Sequence, residues 1–572
     1  MPSRQALPQD EFSLRTESID GLPIVNRFLE RLKLSTLLAK HLPPANSRAK
    51  LGALDALGVL VRNLVLCRVP LYSQGEWARR FSPRLLGLAS AQLSLVNDDR
   101  VGRALDRLFD ADRPAMLTEF VVNMVKEFKI ELEQFHNDST TLTLYGEYAE
   151  ADGRSVRGKP TVVATEGYNK DHRPDLKQLL WILTVSADGA VPVHFKVSDG
   201  NTEDSTTHIE TWDVLRRLVG SPEFLYVADC KLCTRENLGH IASNDGWFIT
   251  IMPKSRNEDS LFRDWLQSNK PQWQEVDLPA RAGADGDEEV VKAMESPVPD
   301  GDGYRLIWVF SSWKRERDFQ ARKGCIERAF KDLDDLRKKL EGSRCRYSAK
   351  GSVAKIADGI LAKSGATRWV TYEVDEIVQE TFRQERRGRS NESTRWRRSL
   401  KSSFRIRVAV VHENIEFDRR CDGIFPLVTN RKDLSLSQVV EAYKRKQPLI
   451  ETRHHLLKSV LAASPALLKS ISRLEALLFA QYVALTVHAL IERELRRAMA
   501  VKTIRELPLY PESRQCAAPT ADRVLELFAN LESHHLVTAT GQTVQKFQPE
   551  LTALQRRLLQ LLRVSADDFQ TR

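Results

Sequence analysis

Apolar residues recur at helical spacing through Leu51–Cys67 and again through Val101–Phe109, which predicts a helical region over residues 22–128. Asn97, Asp98 and Asp99 precede the second run, and side chains of this kind start helices. The pattern then changes. Lys129–Leu144 carries β-branched and aromatic residues and predicts a strand. Leu179–Ser186 and Val191–Val197 flank Ala187-Asp188-Gly189-Ala190, which predicts a hairpin. Ser205–Leu218 predicts a helix opened by Asp204 or Ser205. Phe224–Ala228 is short and wholly apolar, the mark of a buried central strand. Arg235–Ala242 predicts a helix capped by Thr234, and Trp247–Met252 predicts a further strand.

Residues 255–420 interrupt this rhythm. They hold an acidic stretch, Ala280–Asp302, a strand-like Tyr304–Ser311 and a charged helical run, Arg322–Leu340. They also hold a basic segment, Arg383–Arg407, with ten Lys or Arg against two Glu and with Trp396 and Phe404 interleaved. Gly423–Thr429 is strand-like again, and helices are expected over Leu434–Ser459 and Pro465–Met499. The plan that follows is a helical N-terminal region (1–128), the first part of a core (129–254), a mixed, β-rich insertion (255–420), the second part of the core (421–500) and a helical C-terminal tail (501–572). Three antiparallel strands followed by alternating helix and strand is the order of the ribonuclease H-like fold. The class expected is therefore α/β, a mixed five-stranded sheet with flanking helices. Within the N-terminal region, the Arg-rich stretch Gly75–Arg84 followed by a helix suits either a DNA-binding helical unit or a bundle packed on the rest.

The 572 residues leave room for several domains, and the formal charge of +9 leans toward a polyanionic partner. Seven cysteines without regular spacing read as reduced thiols. Cys230-Lys-Leu-Cys233 lacks two further ligands at matching spacing and reads as inert thiols, not a zinc site. The first ten residues lack the apolar core of a signal peptide. The most apolar stretch, Ala476–Ile491, contains Gln481 and His488 and reads as a buried helix instead of a membrane span. A cytoplasmic, nucleoid-associated protein with no membrane partner is expected.

Three carboxylates stand out. Asp138 lies on the first predicted strand, and Asp229 closes the central strand Phe224–Ala228. In sheets of this kind functional groups gather at strand ends. In the ribonuclease H-like order the first and fourth strands are neighbours, so the two aspartates would meet. Paired carboxylates attract Mg²⁺. Two such ions can activate a water or a 3′-hydroxyl and stabilise the leaving oxygen. Glu451, in the first turn of a helix opened by Pro448, supplies the third carboxylate. Lys458 follows two turns later, about 10 Å along the axis, where it could grip a phosphate. His454 and His455 adjoin Glu451, with one expected to pack and the other to be solvated.

With these residues in view, the sequence resembles the DDE transposases of bacterial insertion sequences, in the branch with a β-rich insertion before the catalytic glutamate. Asp138-Ser-Thr-Thr141 is similar to the segment around the first aspartate. Gly167-Tyr-Asn-Lys-Asp-His-Arg-Pro-Asp-Leu-Lys-Gln178 resembles a Gly-x-Ser-Lys-Asp-x-Arg-Pro-Asp-Leu-x-Gln motif, and Gly200-Asn-Thr-Glu-Asp204 a Gly-Asn-x-x-Asp turn. Asp422-Gly423 and Leu427-Val-Thr-Asn430 resemble the strand leaving the insertion. Tyr443, Glu451 and Lys458 match a Tyr…Glu-x₆-Lys helix. The Tyr-to-Glu spacing departs from the usual seven residues by one, and the Arg between them has Lys444, Arg445 and Lys446 as candidate matches. The resemblance implies that Asp138, Asp229 and Glu451 bind two Mg²⁺, with Mn²⁺ able to substitute, and cut DNA at the element ends, after which the freed 3′-hydroxyl attacks target DNA. It also implies a homodimer that pairs two ends. Tyr443, Lys458, Lys170, Arg173, Trp396 and Arg397 are the expected nucleic-acid contacts. A nuclease of the same fold without strand transfer, and an inactive DNA-binding relative, are the alternatives.

Overall fold

The computed structural model describes residues 12–44, 50–278, 288–342, 347, 349–461 and 468–570. The first ten residues, the beginning of the Ala280–Asp302 stretch and the expected helix start at Pro465 lie outside them. The chain forms two compact units, one made of residues 1–250 and 442–572 and the other of residues 251–441.

The first unit is built on five strands: β1 (Gln134–Thr143), β2 (Gln178–Ser186), β3 (Pro192–Ser198), β4 (Leu225–Ala228) and β5 (Trp247–Ile251). They lie in the order β3-β2-β1-β4-β5. β2 runs antiparallel to β1 and β3, whereas β1, β4 and β5 run parallel. The first and fourth strands are neighbours, as expected, and the mixed α/β architecture is compatible with a ribonuclease H-like arrangement. β2 and β4 are buried throughout, which is why their sequences are apolar runs without alternation. Helix α1 (His208–Val219) is closed by Gly220 at φ +79, and α2 (Arg235–Ser243) is capped by the Thr234 hydroxyl, which accepts from Asn237 N. The run after the second unit opens with a π-helical turn, Ala442–Lys446, and continues in α3 (Pro448–His455). Further on comes α4 (Ile471–Val501), most of whose residues are buried. α4 is long and apolar enough to cross a membrane by length and composition, but it packs on the helices Ala53–Leu66 and Asp98–Asp110 and on β3 as a core helix.

The described residues between 22 and 128 form mainly helices, as expected. Lys129, at φ +53, ends the helix Arg113–Phe128, so the strand expected from Lys129 begins only at Gln134. The termini correct the all-helical expectation. Phe12–Ser18, Glu532–Thr538 and Thr543–Phe547 form a three-stranded antiparallel sheet, interleaved with the expected helices Ala521–Glu526 and Ala553–Leu562. Short strands paired across some 500 residues owe their existence to each other, not to a local pattern.

The second unit begins and ends differently from the expected insertion. The strand Ile424–Thr429, expected in the core, pairs antiparallel with Arg305–Ser311 of this unit and belongs to it. The charged helix runs from Ser312 to Glu341, longer than the apolar pattern indicated, because its first turns are capped by the Ser311 hydroxyl. The segment Arg383–Arg407 is no loose charge run. Val370–Gln384 and Trp396–Val410 pair along fifteen residues each as a two-stranded hairpin. The base of the hairpin packs on the helices Ser312–Glu341 and Lys350–Ser364 through Val374, Phe404 and Ile406.

Asp422-Gly423 has a structural reason. Asp422 forms a buried bidentate pair with Arg322, at 2.8 and 2.6 Å. Gly423 sits at φ +82, where a Cβ would stand 2.7 Å from Ser311 O.

Candidate active site

β1 and β4 pair in parallel register with Asn137 opposite Ala228. Asp138 follows within β1 and Asp229 follows just past the end of β4, so the two aspartates sit at matching positions on neighbouring chain segments. Each carboxylate is held by its own turn: Asp138 Oδ1 accepts from Ser139 N and Asp229 Oδ1 from Lys231 N, both at 2.9 Å. Thr250 on β5 fixes the Asp229 backbone by donating to its carbonyl at 2.6 Å.

Burial, together with the charges of Asp229 and Asp204, pushes the Asp138 carboxyl up to about 7, against the pull of Lys170. Asp229 is also raised, chiefly by burial and further by Asp204. Asp204 is thus a third acid in this neighbourhood. The sequence had marked it only as a helix opener and as the end of the Gly200–Asp204 turn. Its partner is Lys170, whose Nζ lies 3.3 Å from Asp204 Oδ2 and donates to Ser139 O at 2.6 Å and Ser139 Oγ at 3.0 Å.

The two longest motifs meet here. Gln178 Nε2 donates to Gly200 O at 2.7 Å, and a Cβ on Gly200 would stand 2.1 Å from Gln178 O, so only glycine permits this approach. Lys170 N donates to Thr141 Oγ1, and Asp171 accepts from Thr143 Oγ1 at 2.9 Å, which straps the loop along β1.

Helix α3 is locked onto the sheet from both sides. His136 Nδ1 donates to Gln447 Oε1 at 2.9 Å, while Gln447 Nε2 donates to Asn137 O at 3.2 Å. Arg453 is buried, donates to Ala190 O and Gly189 O in the β2–β3 turn, and pairs with Glu492 of α4 at 2.9 Å. His454 follows it inward, with Nε2 3.5 Å from Asp138 Oδ2. Burial, with the charges of Lys170 and Lys458, lowers its pKa to about 3, against a contact with the Asp138 backbone. His455 is exposed, so one histidine packs and the other is solvated, as expected.

Tyr443 lies in a π-helical turn, Ala442–Lys446, just before α3. Its hydroxyl is raised by burial and by the charges of Asp229, Asp138 and Glu451, so all three carboxylates act on it. A π turn absorbs one extra residue. At about 100° per residue, a spacing of eight in a regular helix would turn Tyr443 roughly 80° away from the Glu451 face, and the widened turn removes that offset. The departure from the usual spacing is therefore compensated locally.

Glu451 lies in the first turn of α3 and is exposed. Among the described residues no group of three or more His, Cys, Asp or Glu stands close enough together to hold a metal ion. Asp138 and Asp229 are side by side, and Glu451 is not gathered with them into a ligand set. The donor chemistry nevertheless fits a hard divalent cation: carboxylate oxygens within β1 and just past the end of β4, one of them driven toward protonation, beside a neutral imidazole.

The remaining expected contacts are accounted for individually. Lys458 pairs with Asp171. Arg173 pairs with Asp175 at 2.7 Å and stacks over Tyr145 at 5.7 Å. Trp396 and Arg397 are exposed on the hairpin of the second unit. The Cys230 thiol is raised by burial and by Asp229, and Cys233 is buried, which suits inert thiols.

Residues 14–122 match the family model of a domain of unknown function, DUF4277. A search of curated proteins returned no match. Among solved structures, the chain is similar to a piggyBac transposase synaptic complex with hairpin DNA, determined by cryo-electron microscopy. The identity is 10% and the TM-score 0.34, over 82% of this chain and 72% of that one.

Proposed function

We propose that this chain is a DNA transposase of the DDE type with a ribonuclease H-like core, cutting the ends of an insertion sequence and joining them to target DNA. The observation that carries the reading is the placement of Asp138 and Asp229 at matching positions on neighbouring chain segments. The Asp138 carboxyl there is raised to about 7 by burial, even with the Lys170 cation nearby. The motif set from Asp138 to Lys458, and the π turn that offsets the extra residue between Tyr443 and Glu451, support it further.

Asp138, Asp229 and Glu451 would hold two Mg²⁺, or Mn²⁺ in its place; bound there, the ions would lower the pKa of an attacking water or 3′-hydroxyl and stabilise the leaving oxygen. Drawing Glu451 in from its exposed position completes the set. Gln447 and Arg453 hold α3 against the sheet while that happens. Tyr443 and Lys458 would contact the DNA backbone, with Lys458 exchanging Asp171 for a phosphate. Lys170 balances the carboxylates, and Arg173 and Arg397 are further DNA contacts. Positioning and charge neutralisation would supply the rate. The protein would act on DNA in the cytoplasm, as a homodimer that synapses two ends.

The test is cleavage of a duplex carrying the element end with Mg²⁺ present. Asp138→Asn, Asp229→Asn and Glu451→Gln are each expected to abolish cutting while binding the same duplex as the wild type does. A variant that still cuts removes its residue from the site. Strand transfer from a pre-cleaved end separates a transposase from a nuclease.

A further inference from the structure

The hairpin Val370–Gln384/Trp396–Val410 sorts its side chains by face. Its register is regular, with Val374 opposite Ile406, Glu380 opposite Leu400 and Arg383 opposite Arg397. Alternation along each strand therefore puts even-numbered residues on one face and odd-numbered residues on the other. The even face is the one buried at the base, through Val370, Val374, Phe404 and Ile406. Beyond the helices it continues as an apolar stripe, Val378, Phe382, Leu400 and Trp396, each more than half exposed. Both acidic residues of the distal strands, Glu376 and Glu380, lie on this face, and Glu380 is taken up by Arg398.

The odd face is different in kind. Its distal part consists of Ile377, Gln379, Thr381 and Arg383 on one strand and Arg397, Ser399, Lys401 and Ser403 on the other. It contains no acid. Arg383 and Arg397 are directly opposite each other, an arrangement that destabilises a sheet by cross-strand repulsion. Neither they nor Lys401 form an ion pair among the described residues, whereas Arg407, nearer the base, is paired with Glu373 and Asp375 at 3.1 Å. The tip, residues 385–395, adds Arg386, Arg387, Arg389 and Arg395 against Glu385 and Glu392, so it too is net basic. Cations without counter-ions, interleaved with hydroxyl and amide donors on a ribbon projecting about 25 Å, match the groups that bind a phosphate backbone.

We infer that the odd-numbered face of this hairpin, with Arg383, Arg397 and Lys401 at its centre, is a docking surface for the backbone of duplex DNA, and that the aromatic face is turned away from that duplex. The inference rests on the transposase reading and sharpens it: Trp396 and Arg397, although adjacent, do not share one DNA surface.

The test uses the full-length protein and a fluorescent duplex, with Kd measured from about 50 to 200 mM salt. Each phosphate contact contributes about 0.9 to the slope of log Kd against log salt. Replacing Arg383, Arg397 and Lys401 together by Gln is expected to lower that slope by roughly 2–3 and to weaken binding at least about tenfold near 0.1 M salt. Phe382→Ser with Leu400→Ser is expected to leave the slope unchanged. Circular dichroism checks that both variants fold. An unchanged slope in the triple variant overturns the inference, as does an equal loss in the apolar pair. Either result leaves the cleavage chemistry of the core standing. Retained cutting by Asp138→Asn would overturn the transposase reading and leave the salt result untouched.

Discussion

Lys170 Nζ stands 3.3 Å from Asp204 Oδ2 and 2.6 Å from Ser139 O, next to Asp138, so the acids gathered here already have a cation among them. Its charge favours the ionised forms of both Asp138 and Asp229. A lysine so placed opposes the arrival of a second cation. Lys170→Met is therefore expected to tighten Mn²⁺ binding on the order of tenfold, read by titration calorimetry, even as it loosens the loop. Weaker Mn²⁺ binding would show that Lys170 only holds the loop in place.

The raised Asp138 carboxyl makes the metal-free protein pH-sensitive. In the folded chain it keeps its proton up to about pH 7, against 3.8 in the unfolded chain. The folded form therefore binds more protons between those values, and this contribution to stability is present below about pH 4 and lost as pH rises through 7. Thermal melts in a chelator should show the wild type losing ground to Asp138→Asn over that window. Added divalent cation should recover the loss at the alkaline end. Parallel pH curves for the two proteins would contradict the assignment.

The Arg322–Asp422 pair is buried on both sides and bidentate. Asp422→Asn leaves a guanidinium without its counter-charge and is expected to cost ~3–5 kcal/mol. The loss should appear as early denaturant unfolding and rapid proteolysis within residues 251–441. A change under about 1 kcal/mol, the range of an exposed pair, would mean that water screens the site.

Most of the core was legible because its strands are buried runs bounded by turn residues, and because Asp138 and Asp229 end or interrupt such runs. The long motif was legible as a resemblance, but its reason was not: Gly167 and Gln178 are what they are because Gly200 packs on them from 22 residues beyond Gln178. Asp204 escaped because its role depends on Lys170, which the chain places beside it only in three dimensions. His454 and His455 could not be ranked from spacing, since the π turns around α3 decide which one faces the sheet. The terminal sheet and the allegiance of Ile424–Thr429 rest on long-range pairing and leave little trace in a local pattern.

Replacing Mg²⁺ by Fe²⁺ and adding ascorbate and peroxide cuts a polypeptide beside the bound ion. With end DNA bound, three cuts are expected, near Asp138, near Asp229 and near Glu451, all suppressed by excess Mg²⁺. Cuts near the two aspartates with none in α3 would mean that Glu451 never joins them.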